Sequence, residues 1–306
     1  MKKSVYALVG SALALTLAAC GGNAADSEAP GDGDAAATAS DVLATDLSGL
    51  AKDEAVAALV PEAVSEDGKL TIGTNIFYAP AEFYASDGTT PQGFDIDLMN
   101  ALAKVMGLEV DIQQADFNAI FPAIGTNYEA AIASITVNED RLAQFNMIQY
   151  FEDGNSWSVA KGNPNGFDPA QKCGAAIGVQ TGTYQDEVLT AVNEGECASD
   201  PITIQRYDTQ NQATQTLAAG QLDAMYTDSS VAAYAAKLTE GATEILGEPE
   251  EVSGRAITVA KDDKELTDAL VAATQSLIDS GDLAKIFETW GITEGVPTEA
   301  LLNPGA

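Results

Sequence analysis

Apolar and polar residues follow one another along this chain in successive regimes. Behind Met1-Lys2-Lys3 comes an apolar run from Val5 to Ala19, then a stretch from Gly21 to about Ala39 built of Ala, Gly, Asp, Ser and Pro. From Asp41 to Val64 apolar residues return at helical spacing (Leu43, Leu47, Leu50; Val56, Leu59, Val60), which predicts one or two short helices ending at Pro61. From Lys69 onward β-rich runs alternate with helical ones. Strands are expected at Leu70–Gly73, Val110–Ile112, Ala130–Ala133, Trp157–Ala160, Ala176–Val179, Ile202–Gln205, Ala224–Tyr226 and Ile257–Val259. Helices are expected at Phe94–Met106 with Gly107 as its C-terminal stop, near Asn118–Gly125, and at Tyr184–Val192, Gln212–Ala219, Val231–Leu238, Leu266–Ser280 and Leu283–Trp290. This alternation argues for an α/β fold of βαβ units with mainly parallel sheets, where ligands gather at the carboxyl ends of the strands. The loops to search are therefore Thr74–Pro80, Ser134–Arg141, Gln180–Tyr184 and Thr227–Ser229.

The first apolar run is shorter than the roughly 20 residues that span a bilayer, and its basic start marks residues 1–19 as a secretory signal peptide. Leu17-Ala18-Ala19-Cys20, followed by Gly21-Gly22, resembles the bacterial lipobox, whose cysteine is acylated and becomes the mature N-terminus. An ordinary signal peptide with a chance cysteine is the alternative. Residues 20–64 then read as a flexible tether, too poor in large apolar residues to order itself over its first part, followed by the short helices.

Composition removes several function classes. With 14 basic and 46 acidic side chains the formal net charge is −32, which repels nucleic acid and anionic lipid headgroups. There is no histidine, so Ser-His-Asp triads, Cys-His dyads and His-ligated zinc are excluded. Apolar residues at 46% support a buried core. Outside the membrane, Cys173 and Cys197 at this separation read as a disulfide. Two free thiols, or a metal pair short of further ligands, are the alternatives. No cofactor and no metal site are expected.

The loops carry a resemblance. Gly73-Thr74-Asn75 with Tyr78-Ala79-Pro80 and Glu82-Phe83 is similar to the first strand-loop of family 3 extracellular solute-binding proteins, the polar amino-acid receptors of ABC importers. Gly93-Phe94-Asp95-Ile96-Asp97-Leu98 resembles that family's GFD-x-D-L helix start, and Ser134-Ile135-Thr136 through Arg141 its T-x-x-x-x-R segment. Gly178-Val179-Gln180-Thr181-Gly182-Thr183 matches G-V-Q-x-G-T, Leu222-Asp223-Ala224 through Asp228-Ser229 matches D-A-x-x-x-D, and Lys285-Ile286-Phe287 with Trp290-Gly291 is like the final helix. The motifs run in order from about Lys69 to Ile292. The two cysteines and the ending Leu302-Asn303-Pro304 look like an actinobacterial branch. The resemblance implies a two-lobed, type II periplasmic-binding-protein-like flytrap with two crossover hinge segments. Lobe 1 would hold residues 65–151 plus 255–306 and lobe 2 residues 152–254, with the ligand between them.

An amino acid presents a carboxylate, an ammonium and a side chain, and each needs a partner once water is excluded. The chain has three arginines, Arg141, Arg206 and Arg255. Arg206 lies among polar residues and reads as a solvated surface group, and Arg255 sits near the second crossover with a hinge role or none in particular. Arg141 follows the loop carrying Ser134 and Thr136, where the family places its carboxylate clamp, and a guanidinium offers the planar fork that suits it. Asp228 follows an apolar strand and is the candidate ammonium partner, with a helix N-cap as its alternative role. Thr183 and Tyr184 open a helix whose free N–H groups could meet the carboxylate, and Gln180 points from the same loop. Tyr184 replaces a small residue common there. Tyr78 and Phe117 would sandwich the ligand side chain, unless they are plain core. Asn75 stands where many members carry Asp, and its neutral amide favours uncharged polar ligands over lysine or arginine.

The implied protein is a monomeric, lipid-anchored receptor on the outer face of the cell membrane that delivers a polar amino acid to the permease of an ABC importer. The alternatives are an extracellular sensor without a transporter, or an enzyme on the same fold, such as the family's dehydratase and lytic transglycosylase relatives. The cleft loops offer an enzyme only Asp228 and Glu139, better explained as a ligand contact and a surface group, so no catalytic residue is expected.

Overall fold

The computed structural model describes residues 42–305; the expected signal peptide, Cys20 and the tether up to residue 41 lie outside them. The first expected strand forms as Lys69–Thr74, with Leu70 and Ile72 fully buried. It pairs in parallel with Glu109–Gln114 on one side and Ala130–Ala131 on the other. The helix between them runs Phe94–Met106 and stops at Gly107, whose φ of 77° is the left-handed turn a glycine tolerates best. Its start needs a glycine too. Gly93 has φ 134°, and a Cβ there would lie 2.0 Å from the Ala81 carbonyl oxygen. A parallel group repeats in the second half, where Ala176–Gln180 pairs with Thr203–Tyr207 and with Ala224–Asp228.

Two long strands join these groups. Phe145–Ala160 and Thr243–Ala260 pair antiparallel with each other, with register shifts between Leu246 and Glu250, Glu250 and Ser253, and Arg255 and Ala256. The end of the second pairs antiparallel with Ala130–Ala131, and the end of the first with Ala224–Asp228. The result among the described residues is a nine-stranded mixed sheet running through both halves, not the mainly parallel one that alternation suggested. A hairpin-like sheet of Phe77–Tyr78, Glu82–Tyr84 and Pro91–Gln92 stands apart from it.

Each half has its own apolar centre. In the first, the rings of Phe94, Phe151 and Phe287 lie 4.7–5.8 Å apart, between the sheet and the helices Lys264–Ser280 and Asp282–Thr289. In the second, Trp157 stacks on Tyr226 at 4.2 Å above Ile177, Val179 and Leu189. The Cys173–Cys197 disulfide forms beside this second core, with a Cα–Cα distance of 5.2 Å.

Residues 42–64 pack on the first half. Helices form at Glu54–Ala57 and Glu62–Ser65, burying Val56 and Val64, so Pro61 precedes the second helix and does not end the first. One carboxylate oxygen of Asp97 accepts from the Thr45 amide at 2.8 Å, the Thr45 hydroxyl at 2.7 Å and the Trp290 indole at 2.9 Å. Asp97 thereby clamps the segment around Thr45 and the indole of Trp290 to the start of the Phe94–Met106 helix.

Candidate functional site

The strand-end loops of both halves converge on one narrow pocket. Asn75, Tyr78, Phe117, Ser134, Thr136, Gln180, Thr183, Tyr184 and Asp228 all line it. Glu82, Ala133 and Gln185 complete the wall. Cys173 and Cys197 are remote from it, bonded to each other as described.

Local folding aims these groups. Asp95, near the start of the Phe94–Met106 helix, accepts from the Ser134 amide at 2.8 Å, holding a turn in which Ser134 takes φ 44°. Thr183 caps the helix Tyr184–Glu194, accepting from the Asp186 amide, and its hydroxyl also donates to the Gln180 carbonyl at 2.8 Å. Two bonds join the walls directly: Gln180 Nε2 donates to Asn75 Oδ1 at 2.9 Å, and the hydroxyls of Tyr78 and Thr227 lie 3.0 Å apart. Asn75 Nδ2 also donates to the Ala115 carbonyl at 2.9 Å. The Asn75 amide is thus engaged at both its atoms, and its neutrality says little about ligand charge.

Arg141 stands one layer behind the wall. Its Nη1 donates to the Thr136 carbonyl at 2.9 Å, and its guanidinium lies 5.1 Å over Phe121 and 5.7 Å over Phe117. Glu187 approaches its Nη2 at 3.7 Å from the second half. The side chain is only 7% exposed, and burial pulls its pKa down from the ordinary guanidinium range. Arg206 is half exposed and pairs with Asp186 at 2.8 Å, as a surface group should.

The two buried acids of the wall differ in their surroundings. Asp228 occupies the position before the helix Ser229–Leu238 but makes no side-chain cap, so the N-cap role is not the one it plays. Its carboxylate faces Arg255 instead, at 2.8 and 3.1 Å, and accepts from Gln185 at 2.6 Å. Burial disfavours the charge on Arg255, but Asp228 more than offsets it and leaves the guanidinium more firmly protonated than usual. Glu82 is fully buried; no N–H or hydroxyl donor among the described residues reaches its carboxyl oxygens, and its carboxyl group shares a hydrogen bond with that of Asp95. Burial, then the charge of Asp95 close by, pushes its pKa well above the carboxylate range. Asp95 itself is raised by burial to about 6, and the nearby Tyr150 well above its usual value by burial and these acids.

Three contributors escaped the sequence. Glu82 stood in the first strand-loop motif but was given no role in the site. Gln185 follows the helix start without any pattern of its own. Arg255 was the visible exception, a lone cation entering the apolar run Ala256–Val259, which sits near the second crossover and is fully buried. Among the described residues no cluster of three or more acids or cysteines is placed to hold a metal.

Comparison with known proteins gives a consistent picture. A model of bacterial extracellular solute-binding proteins, family 3, matches residues 70–293. The arginine-binding protein ArgT of Corynebacterium glutamicum is 37% identical over 81% of this chain and 82% of its own length. A probable ABC transporter arginine-binding protein, ArtJ, of Chlamydia trachomatis is 28% identical over 74% of this chain and 88% of its own. Among solved structures, an ancestral arginine-binding protein bound to arginine superposes with a TM-score of 0.68 at 31% identity, over 73% of this chain and 98% of that one. These relatives are solute-binding proteins rather than enzymes, and the shared architecture is the two-lobed, type II one.

Proposed function

The chain belongs to the bacterial extracellular solute-binding proteins, family 3, and from that premise we propose that it is a receptor for a cationic amino acid, arginine before others, in the service of an ABC importer. One observation carries the cationic preference. Glu82 presents to the pocket a buried carboxyl group that no N–H or hydroxyl donor among the described residues reaches. A desolvated acid is costly unless neutralised or paired, and a guanidinium can pair with it through two parallel bonds. The names of the arginine-binding relatives support the same reading.

The remaining groups of an amino acid find partners. Asp228, with Gln185 beside it, takes the α-ammonium. The hydroxyls of Ser134 and Thr136 and the first N–H groups of the helix Tyr184–Glu194 take the carboxylate, with Arg141 behind Thr136 supplying the positive charge. Tyr78 and Phe117 flank the aliphatic stem, and Gln180 and Asn75 tie the walls together on closure. The lobes are residues 65–151 with 255–306, and residues 152–254, so the two long strands are the crossovers. Export by the signal peptide and acylation of Cys20 hold this monomer at the outer face of the membrane, where the importer's permease collects the ligand.

Calorimetry against the twenty amino acids tests the ligand. Arginine should bind tightest, and at 100 times its dissociation constant should raise stability by about 2.7 kcal/mol. Tighter binding of a neutral amino acid than of arginine or lysine would refute the cationic preference.

A further inference from the structure

Arg255 does not line the pocket, yet it heads the fully buried side chains in size, and its charge lies directly behind Asp228. Its Nε donates to Asp228 Oδ2 at 3.1 Å and its Nη2 to Oδ1 at 2.8 Å, so guanidinium and carboxylate meet as a two-pronged fork. Nη1 donates to the Ser253 carbonyl at 3.1 Å and hydroxyl at 3.0 Å, which fixes the fork on its own strand. Gln185 Nε2 donates to Oδ1 at 2.6 Å while reaching Asn155 Oδ1 at 2.7 Å. An ionised carboxylate offers about four acceptor positions. The protein fills two on Oδ1 and one on Oδ2, which leaves one on Oδ2.

We propose that Arg255 is a positioning residue for the ligand α-ammonium: gripping Asp228 in a fixed plane, it turns the remaining Oδ2 lone pair toward the pocket. This rests on the amino-acid receptor reading above and extends it to a residue outside the wall. Two features favour positioning over simple attachment of the second long strand to the second lobe. A buried ion pair adds little net stability compared with apolar groups of the same volume, while it does fix geometry. The strand register also slips between Arg255 and Ala256, the kind of irregularity that re-aims a side chain beside a binding site. Asp228 in turn has no helix cap to hold its carboxylate in another direction.

The test measures a ratio. The full chain and its Arg255→Lys and Arg255→Gln variants are titrated with L-arginine and with 5-guanidinopentanoate, the same molecule without its amino group. The wild type should discriminate strongly between the two. Arg255→Lys, which keeps the charge and loses the fork, should reduce that discrimination several-fold. Arg255→Gln should reduce it by at least about tenfold, or 1.4 kcal/mol. An attachment role weakens both ligands alike. Ratios within about twofold of wild type in the variants would therefore overturn the proposal, since that is well under 1 kcal/mol. If Arg255→Gln fails to fold, Arg255→Lys decides alone. A wild type that binds some other amino acid and not arginine overturns the arginine reading instead, and the same ratio with that amino acid and its deamino analogue then decides the role of Arg255.

Discussion

The pocket holds two buried carboxylates in opposite conditions. Asp228 has a guanidinium, an amide and a fixed orientation; Glu82, equally buried, is reached by no N–H or hydroxyl donor among the described residues and shares its proton with a second acid, Asp95. The difference follows the chemistry of the proposed ligand. Every amino acid brings an α-ammonium, so a receptor gains by holding the partner of that group ready-made. The side chain is what distinguishes one ligand from another, and an acid that no internal N–H or hydroxyl reaches rewards only the ligand that brings a cation. A satisfied corner thus gives affinity for the class, and an unsatisfied corner gives choice within it.

Removing the acid at each corner should therefore have opposite consequences for the ligand-free protein. Asp228→Ala leaves Arg255 buried and unpaired, a loss of about 3–5 kcal/mol, visible as a large drop in chemical-denaturation midpoint together with loss of binding for every amino acid. A midpoint near that of wild type would mean that the pair is not closed in solution. Glu82→Gln should leave ligand-free stability unchanged or raise it, because it removes a desolvated acid that no N–H or hydroxyl donor reaches. The same change should weaken arginine by about 2 kcal/mol, roughly thirtyfold, while citrulline, of the same shape but neutral, loses little. Equal losses for both ligands would place the guanidinium elsewhere.

The smallest effect is the pH dependence, and its sign separates the corners again. Asp95 is raised to about 6 and Glu82 well above its usual range, both chiefly by burial. The folded chain then holds protons that the unfolded chain has released. The contribution of these two groups to ligand-free stability is fully present below the unfolded carboxylate range near pH 4 and is lost as pH rises through about 6 and beyond. Arginine requires the ionised Glu82, so its binding should tighten with rising pH, by at most about tenfold per unit for each proton released. Calorimetry in buffers of different ionisation enthalpy reads that proton directly. Binding that is independent of pH between 5 and 8 would show Glu82 already charged without ligand.

Much of the frame was legible because it rests on local pattern. The helix Phe94–Met106 forms over the very residues its spacing marked, and the loops after the strands supply most of the pocket. What escaped depends on distant residues. Only the end of the strand Phe145–Ala160 was visible, because Glu152, Asp153, Gly154 and Asn155 interrupt its apolar pattern. The six-residue helix Glu139–Gln144 is too short for periodicity and depends on its Asn138 cap. Glu82 was one acid among 46, and only three-dimensional packing shows it to be buried and beyond the N–H and hydroxyl donors around it. Arg255 was noticed for its place in the chain, but its role comes from Asp228, 27 residues away in sequence.

The three bonds that Asp97 accepts have a mechanical meaning as well. They fasten the segment around Thr45 and the indole of Trp290 to the helix Phe94–Met106. A pull on the chain ahead of residue 42 enters the body there, and it is passed through Trp290 to the helix Asp282–Thr289 and the core beneath it. The centre it reaches includes Phe151 of the strand Phe145–Ala160, 4.7 Å from Phe287, and Trp290 also meets Phe83, whose ring lies 5.7 Å from that of Tyr234 in the second half. Load arriving at Thr45 is therefore shared by the helix Phe94–Met106, Trp290 and the apolar centre they enclose.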